Sequence, residues 1–152
     1  MNFWQSYNEE YAKQDYLYAD YLKAAIKLIN PKTILEVGAG AQRNRRYIPE
    51  EIEYNGIDLI DGHDITNMDA DKQYDLVLCT GVFCHIEPMK REKVFRFMED
   101  SAGYILMIEP YSDPEEMHEW HGMKDKLWTV NPDKYDPIIF TKLWGGYALA
   151  LY

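Results

Sequence analysis

The hydrophobic residues of this chain recur at two spacings. Near the N-terminus they fall three or four positions apart, as at Leu22, Ile26 and Ile29, which is the spacing of one helix face. Further along, they come in short unbroken runs separated by glycine, proline and charged residues, which is typical of buried strands. We therefore predict a helical segment over residues 2–29, with a break near 13–15, followed by alternating strands and helices.

The alternation of strands and helices after Asn30-Pro31 predicts an α/β protein. Such a chain forms a mainly parallel sheet covered by helices, and a C-terminal hairpin adds an antiparallel edge. Strands are predicted over residues 34–37, 54–58, 74–79 and 104–109, and a hairpin over 138–144 and 147–152 around Gly145-Gly146. Helices are predicted over residues 43–47, where only a short one fits, and over 88–100. Residues 113–126 are predicted to be partly helical, with Pro114 in the first turn.

The connection after the second strand is unusually short. Residues 59–63 alone separate Asp58 from Asp64. A crossover between parallel strands needs roughly a dozen residues or more. We therefore predict no helix between residues 58 and 64, and a short or missing strand at that edge of the sheet.

A glycine pair directly follows the first predicted strand, in the stretch TILEVGAGAQRN at residues 33–44. Gly38 and Gly40 allow a sharp turn with exposed backbone, and Asp58 closes the next strand. Parallel strands end at one edge of their sheet, so these residues form a cleft suited to a ribose-bearing cofactor. The alternative interpretation is an ordinary strand-to-helix turn.

The residues after the glycine pair narrow the kind of cofactor. Dinucleotide sites carry a third glycine and a helix whose N-terminus faces the pyrophosphate. This chain has Gln42 and Arg43 at that place, and Pro49 limits the helix that follows. The pattern favours a cofactor without phosphate over a dinucleotide.

Composition limits the class of protein further. The 152 residues are 47% hydrophobic, which suits one domain over 1–152, with a helical segment at 1–30 and a Rossmann-like core at 31–152. The net charge of −10 argues against nucleic acid as a partner and favours a small molecule. Cys79 and Cys84 are predicted to be buried thiols, without a disulfide or a nucleophilic role. We find no signal peptide or membrane span, and predict a cytoplasmic protein.

Several motifs together resemble those of the class I methyltransferases, which use S-adenosylmethionine. Residues 35–40, LEVGAG, are similar to the first motif of that family, and YNGID at 54–58 to its second strand. HDI at 63–65 resembles the adenine-side segment, and YDLVLCTGVFCHI at 74–86 the fourth strand with its loop. The resemblance implies a Rossmann-like three-layer fold, here in a minimal version with a reduced strand edge.

The resemblance also implies roles for individual residues toward S-adenosylmethionine. Gly38 and Gly40 would let the backbone approach the cofactor, and Asp58 would accept hydrogen bonds from the ribose. Asp64 would receive the adenine amino group while Ile65 packs on the ring. Glu36 would orient the methionine end. The end of the fourth strand, at Cys79 and Thr80, and an aromatic lid that includes Tyr11 complete the implied cofactor site; the alternative for the lid is a helix packed on the sheet.

A narrower similarity rests on scattered stretches. These are Phe3-Trp4 followed by Tyr11, GVFCHIEP at 81–88, SAGYILMIE at 101–109, and parts of 111–127. They resemble the methylase family associated with pseudaminic acid biosynthesis. That resemblance implies a related lineage and a sugar-related acceptor.

Two residues are candidates for acid–base catalysis on the acceptor. His85 follows the fourth strand and Glu109 ends the fifth strand of the resembled fold, so both fall at the rim where an acceptor would lie. The alternatives are a histidine held by backbone groups and a carboxylate that caps a loop. His118-x-x-His121 is a weak metal motif, and a solvated surface explains it better, so no metal is predicted. Trp120, Trp128 and Trp144 line a pocket or pack as a core or lid.

These patterns predict a methyltransferase that transfers the methyl group of S-adenosylmethionine to a small-molecule acceptor. Alignment and desolvation would carry most of the catalysis. Two alternatives remain open at this stage. One is a protein that binds the cofactor without transfer, and the other is a nicotinamide-dependent oxidoreductase.

Overall fold

A computed structural model describes residues 13–119 and 126–152. The first described helix, α1, spans Ala19–Ile29 and buries Leu22 and Ile26. It ends at Asn30, whose left-handed backbone (φ 53°) turns the chain before Pro31. Residues 13–18 precede the helix, which agrees with the predicted break. Tyr11 and the other residues of the predicted N-terminal lid lie outside the described residues.

The central feature is a sheet of six strands. Its strands are β1 (Thr33–Val37), β2 (Glu53–Ile57), β3 (Tyr74–Thr80), β4 (Ala102–Pro110), β7 (Ile139–Leu143) and β8 (Tyr147–Leu151). They lie in the order β2-β1-β3-β4-β8-β7, with β1 to β4 parallel and the terminal hairpin antiparallel. The predicted α/β architecture and its C-terminal hairpin are confirmed.

Side chains alternate between two cores on opposite faces of this sheet. Helix α2 (Pro88–Ser101) covers one face, where Val94 and Met98 pack with Val77 of β3. Helix α1 covers the other, against Leu76 and Leu78. Because both faces are covered, the central strands carry continuous apolar runs, and this is why the sequence identified them. The result is a three-layer helix–sheet–helix arrangement.

The predicted gap after β2 is confirmed. Within residues 58–64, all of which the structure describes, there is no α-helix; a single 3-10 turn spans Leu59–Asp61. Strand β2 forms the edge of the sheet as far as the described residues extend. The first crossover is similarly reduced to a 3-10 helix, Arg43–Tyr47, as the sequence indicated.

The prediction of helix over residues 113–126 is wrong for the described part of that segment. Residues 113–119 and 126 contain strand β5 (Met117–Glu119) and the start of β6 (Lys126–Trp128), which pair antiparallel as a separate sheet. The amide of Thr129 donates to the carbonyl of Glu116, at 2.8 Å, and closes the base of this pair. We call β5 and β6 the flap.

None of the helices within residues 13–119 and 126–152 is long and apolar enough to cross a bilayer.

Candidate active site

A broad cleft of about 1800 Å³ opens where the parallel strands end. On one side it is lined by the loop after β1 and the turn after β2. On the other it is lined by the loop after β3, the flap and the turn between β7 and β8. This is the edge at which ligands bind in open parallel sheets. The described lining residues that bear on the predictions are Gly38, Gly40, Asn44, Asp58, Asp64, Ile65, Thr80, His85, Met117, His118 and Trp128.

The glycine loop is folded tightly against the end of β2. Gly38 and Gly40 both have left-handed backbone angles, φ +65° and +51°. The amide of Gly40 donates to Oδ2 of Asp58 at 2.8 Å, and the amide of Ala39 donates to the carbonyl of Ile57 at 3.1 Å. The predicted association of the glycines with Asp58 is therefore present in the fold.

Gly38→Ala should lower the free energy of unfolding by about 1–3 kcal/mol, because φ is positive there and a Cβ would overlap the side chain of Val82. Urea denaturation measures this loss. The matched control is Gly62→Ala, a second left-handed glycine (φ +86°) whose added Cβ would meet nothing within 4 Å. Equal losses in the two variants would contradict a tight contact between the glycine loop and Val82.

Asp58 lines the cleft beside the glycine loop, and each of its carboxylate oxygens already accepts one hydrogen bond. Oδ2 accepts from Gly40 and Oδ1 accepts from the amide of Ile60 at 2.9 Å. A carboxylate oxygen accepts two hydrogen bonds, so each retains capacity for a hydroxyl donor. The carboxylate is thus held in place and can still bind a diol.

Asp64 and Ile65 follow on the same side. The Asp64 carboxylate accepts from the hydroxyl and amide of Thr66, at 2.7 and 3.0 Å, and from Nδ2 of Asn67 at 2.7 Å. These bonds, led by the Thr66 hydroxyl, lower the pKa of Asp64. Ile65 is buried beside it and lines the cleft. Three of the predicted cofactor residues, Asp58, Asp64 and Ile65, therefore share one wall.

Glu36 lies beneath the cleft and does not line it. Its side chain is buried, Tyr54 donates its hydroxyl to Oε2 at 2.5 Å, and Nδ2 of Asn44 donates to Oε1 at 2.7 Å. Burial raises the pKa of Glu36 to about 7, against the opposing hydrogen bonds from Tyr54 and Asn44. Asn44 also donates to Oγ1 of Thr80 at 2.9 Å. Glu36 therefore contacts the cleft only indirectly: it holds the side chain of Asn44, which lines the cleft together with Thr80.

Asn44 and Tyr54 were not predicted from the sequence. Asn44 is almost fully buried, and its Oδ1 has no hydrogen-bond partner among the described residues. A buried amide oxygen without a donor is costly and suits a ligand that brings one. The sequence shows that Asn44 lies in the first turn after the glycines, but it does not show that Asn44 binds Glu36 and Thr80.

Cys79 corrects a prediction made for the cofactor site. It is fully buried on the face of β3 that packs against α2, and burial raises the pKa of its thiol well above the usual value. The next residue, Thr80, does line the cleft, because successive side chains of a strand point to opposite faces. Cys84 is likewise a buried free thiol, as predicted.

Glu109 corrects the prediction of a second acid–base group at the rim. It is fully buried and does not line the cleft. Its Oε1 accepts from the amides of Val82 and Phe83, at 2.9 and 3.1 Å, and its Oε2 from the amide of Cys84 at 3.3 Å. Burial raises its pKa to about 7, against these hydrogen bonds. Glu109 is a loop anchor, which was the alternative interpretation.

The loop that Glu109 anchors carries His85. This residue ends the 3-10 helix Phe83–His85, is exposed, and lines the cleft. Met117, His118 and Trp128 of the flap line the same side of the cleft, and Nε2 of His118 lies 3.4 Å from a carboxylate oxygen of Glu116. His85 is therefore a candidate catalytic residue on the acceptor side.

The other aromatic residues named from the sequence lie partly within the described residues. Trp144 is 61% exposed and packs beside Tyr18, with ring centroids 5.8 Å apart. Trp120 and His121 lie outside the described residues. Among residues 13–119 and 126–152 no group of three or more histidine, cysteine or acidic side chains could hold a metal ion.

No family model and no curated protein matches this chain by sequence. Solved structures do match it. The chain is similar to 1,6-didemethyltoxoflavin-N1-methyltransferase of Burkholderia thailandensis, bound to 1,6-didemethyltoxoflavin and S-adenosylhomocysteine, with a TM-score of 0.72 and 15% identity over 90% of this chain and 78% of that one.

Two further structures show the same likeness. DhpI, in its SAM-HEP complex, matches with a TM-score of 0.64 and 11% identity over 98% of this chain and 93% of that one. Human N-acetylserotonin methyltransferase in complex with SAM matches with a TM-score of 0.67 and 14% identity over 97% of this chain and 55% of that one. This chain therefore has the Rossmann-like fold of the class I methyltransferases, in a minimal form without the strand beyond β2 among its described residues.

Proposed function

We propose that this protein is an S-adenosylmethionine-dependent methyltransferase that acts on a small-molecule acceptor. One observation carries the proposal. The glycine loop, Asp58 and Asp64-Ile65 form one wall of a single cleft, and His85 with the flap forms the other. A cofactor and an acceptor can therefore meet in that cleft. The similar structures from Burkholderia thailandensis and human, which are complexes with S-adenosylhomocysteine and S-adenosylmethionine, support the choice of cofactor.

The residues of the first wall fit this cofactor. Gly38 and Gly40 line the cleft with backbone in the left-handed conformation, and Asp58 offers its carboxylate to the ribose hydroxyls. Ile65 presents an apolar surface to the adenine. Oδ1 of Asn44, which has no hydrogen-bond partner within residues 13–119 and 126–152, is offered to an ammonium or amide donor at the methionine end. When bound, S-adenosylmethionine supplies an electrophilic methyl group on a sulfonium centre.

The residues of the second wall would align the acceptor and exclude water. Methyl transfer is a displacement, so it depends mainly on holding the acceptor atom in line with the methyl group. His85 would remove the proton from an acceptor hydroxyl or amine. The net charge of −10 disfavours a polyanion. The pseudaminic acid-related resemblance at residues 81–88 and 101–109 makes a sugar-related acceptor the first class to test.

Thermal shift with S-adenosylmethionine, S-adenosylhomocysteine and NAD tests the cofactor. We expect the first two to raise the melting temperature and NAD to leave it unchanged, because a ligand stabilises the state it binds. Stabilisation by NAD alone would overturn the proposal in favour of an oxidoreductase. Methyl transfer from methyl-labelled S-adenosylmethionine to a panel of sugar nucleotides, phenols and amines then tests activity. Binding without transfer to any member would favour a cofactor-binding protein.

Asp58→Ala should weaken binding of S-adenosylhomocysteine by about 1.5–3 kcal/mol, roughly ten- to hundredfold, because it removes a charge-assisted bond to the ribose. Isothermal titration calorimetry measures the change. The matched control is Asp61→Ala, which removes the same charge from the neighbouring turn, at an exposed residue that does not line the cleft. An unchanged affinity in Asp58→Ala would remove this residue from the site.

A further inference from the structure

Arg91 is a fully buried arginine in the first turn of helix α2. Its Nε donates to the carbonyls of Phe83 and Ile86, at 3.1 and 2.9 Å, which lie on either side of His85. A buried guanidinium is strongly disfavoured unless it is paired and hydrogen-bonded. A leucine or methionine would fill this position at lower cost, so the charge at Arg91 calls for a role beyond packing.

The other end of the Arg91 guanidinium reaches the base of the flap. Nη1 lies 3.1 Å from Oε2 of Glu115, and it donates to the carbonyl of Thr129 at 3.4 Å. Glu115 lies just before β5 and Thr129 just after β6, so both chain segments that enter the flap are held by one side chain.

Glu115 is itself fixed by neighbours on its other oxygen. Oε1 accepts from the amide of Asn131 at 2.9 Å and from Nζ of Lys134 at 2.7 Å. Its side chain is only 17% exposed, so the pair with Arg91 is largely shielded from solvent screening. The ion pair of Arg91 and Glu115 is therefore largely buried and its orientation is fixed. The pair of Arg96 and Glu92 on the same helix is exposed.

We propose that Arg91 is a positioning residue that holds the flap over the acceptor side of the cleft, in register with the His85 loop. One guanidinium contacts the backbone around His85 and the base of the flap that carries Met117, His118 and Trp128. The proposal rests on the proposed function for what the cleft binds. Arg91 does not itself line the cleft, so it acts on acceptor binding through the flap and the His85 loop that it holds.

Hydrogen–deuterium exchange in Glu115→Gln tests the link. This change keeps the shape of residue 115 and leaves the Arg91 bonds to Phe83 and Ile86 in place. We expect exchange of residues 117–119 and 126–129 to rise about tenfold or more, while β1 and β3 keep their protection. The matched control is Glu92→Gln, which breaks the exposed ion pair of the same helix and should leave flap exchange unchanged.

Arg91→Lys and Arg91→Met separate positioning from packing. Lysine keeps a charge that can reach one acceptor, and we expect it to restore part of the flap protection that methionine loses. Combining Arg91→Lys with Glu115→Gln should add little to the larger single effect, because both changes break one interaction. If Arg91→Met does not fold, flap exchange in Glu115→Gln and Arg91→Lys still tests whether Arg91 positions the flap.

The outcomes distinguish this inference from the proposed function. Unchanged flap exchange in Glu115→Gln, or a rise spread evenly over all strands, would overturn the positioning role. S-adenosylhomocysteine should bind wild type and Glu115→Gln with equal affinity, because the cofactor wall lies elsewhere. Failure of S-adenosylhomocysteine to bind wild type would overturn the proposed function and leave the exchange result valid.

Discussion

Replacing His85 with alanine is expected to lower turnover by about 10²–10⁴-fold if its imidazole is the base for the acceptor. The side chain is exposed at the cleft, on a loop held from below by Glu109 and from the side by Arg91. Affinity for S-adenosylhomocysteine should stay nearly unchanged, because His85 lies in the wall of the cleft proposed for the acceptor. Steady-state kinetics with an acceptor from the panel and calorimetry measure the two quantities.

His85→Gln provides the comparison for this prediction. Glutamine keeps a polar side chain of similar reach but cannot take up a proton, so it should lose as much activity as alanine. Full activity in either variant would mean that transfer relies on alignment alone. A lower melting temperature with a matching loss of cofactor affinity would instead assign His85 a structural role.

Glu109→Ala is expected to lower the free energy of unfolding by about 3–5 kcal/mol. The change leaves the buried amides of Val82, Phe83 and Cys84 without their acceptor. Each unsatisfied buried amide costs about 1–3 kcal/mol, and relaxation of the loop recovers part of the sum. Urea denaturation measures the loss, and Glu99→Ala, at an exposed glutamate of α2, is the control. A loss as small as that of the control would refute the anchoring role.

The raised pKa of Glu109 also predicts a pH dependence. Its pKa moves from 4.5 to about 7 because of burial, so the folded state binds a proton more tightly than the unfolded state. The associated stability is fully present below pH 4.5 and is lost as the pH rises through about 7. Glu36 changes in the same direction for the same reason. Urea denaturation at pH 5, 6 and 7 should show this decline, and Glu109→Gln should reduce it. An unchanged slope in that variant would contradict a titrating Glu109.

Local features of the sequence were enough for much of the fold. The strands β1, β3 and β4 are apolar because helices cover both faces of the sheet, so their runs were visible without any structure. The absence of a helix after Asp58 could be predicted from the length of the connection to Asp64 alone. The glycine loop could be predicted because glycine readily adopts left-handed backbone angles, which Gly38 and Gly40 do adopt. The proposed cofactor wall depended on these local signals.

The residues that hold the site together could not be assigned in the same way. Glu109 and Cys79 end strands at the correct edge, but each shares a face with residues that pack against α2, such as Met107 and Val77. The alternation of side chains along each strand shows which residues share a face of the sheet. It does not show which face is covered by α2, because that depends on where the helix packs. The partly helical segment predicted over residues 113–126 is wrong for its described residues, where Met117–Glu119 pairs antiparallel with Lys126–Trp128 instead.

The order of the elements, the parallel strands and the turn that opens the cleft could be predicted from residues close together in the chain. Which polar groups face the cleft and which lie beneath it depends on contacts that form only in the folded protein. Glu36 meets Tyr54, Glu109 meets the amides of Val82 to Cys84, and Arg91 meets Glu115 across long stretches of chain. A buried polar group requires a partner, and which partner it finds is a property of the folded chain.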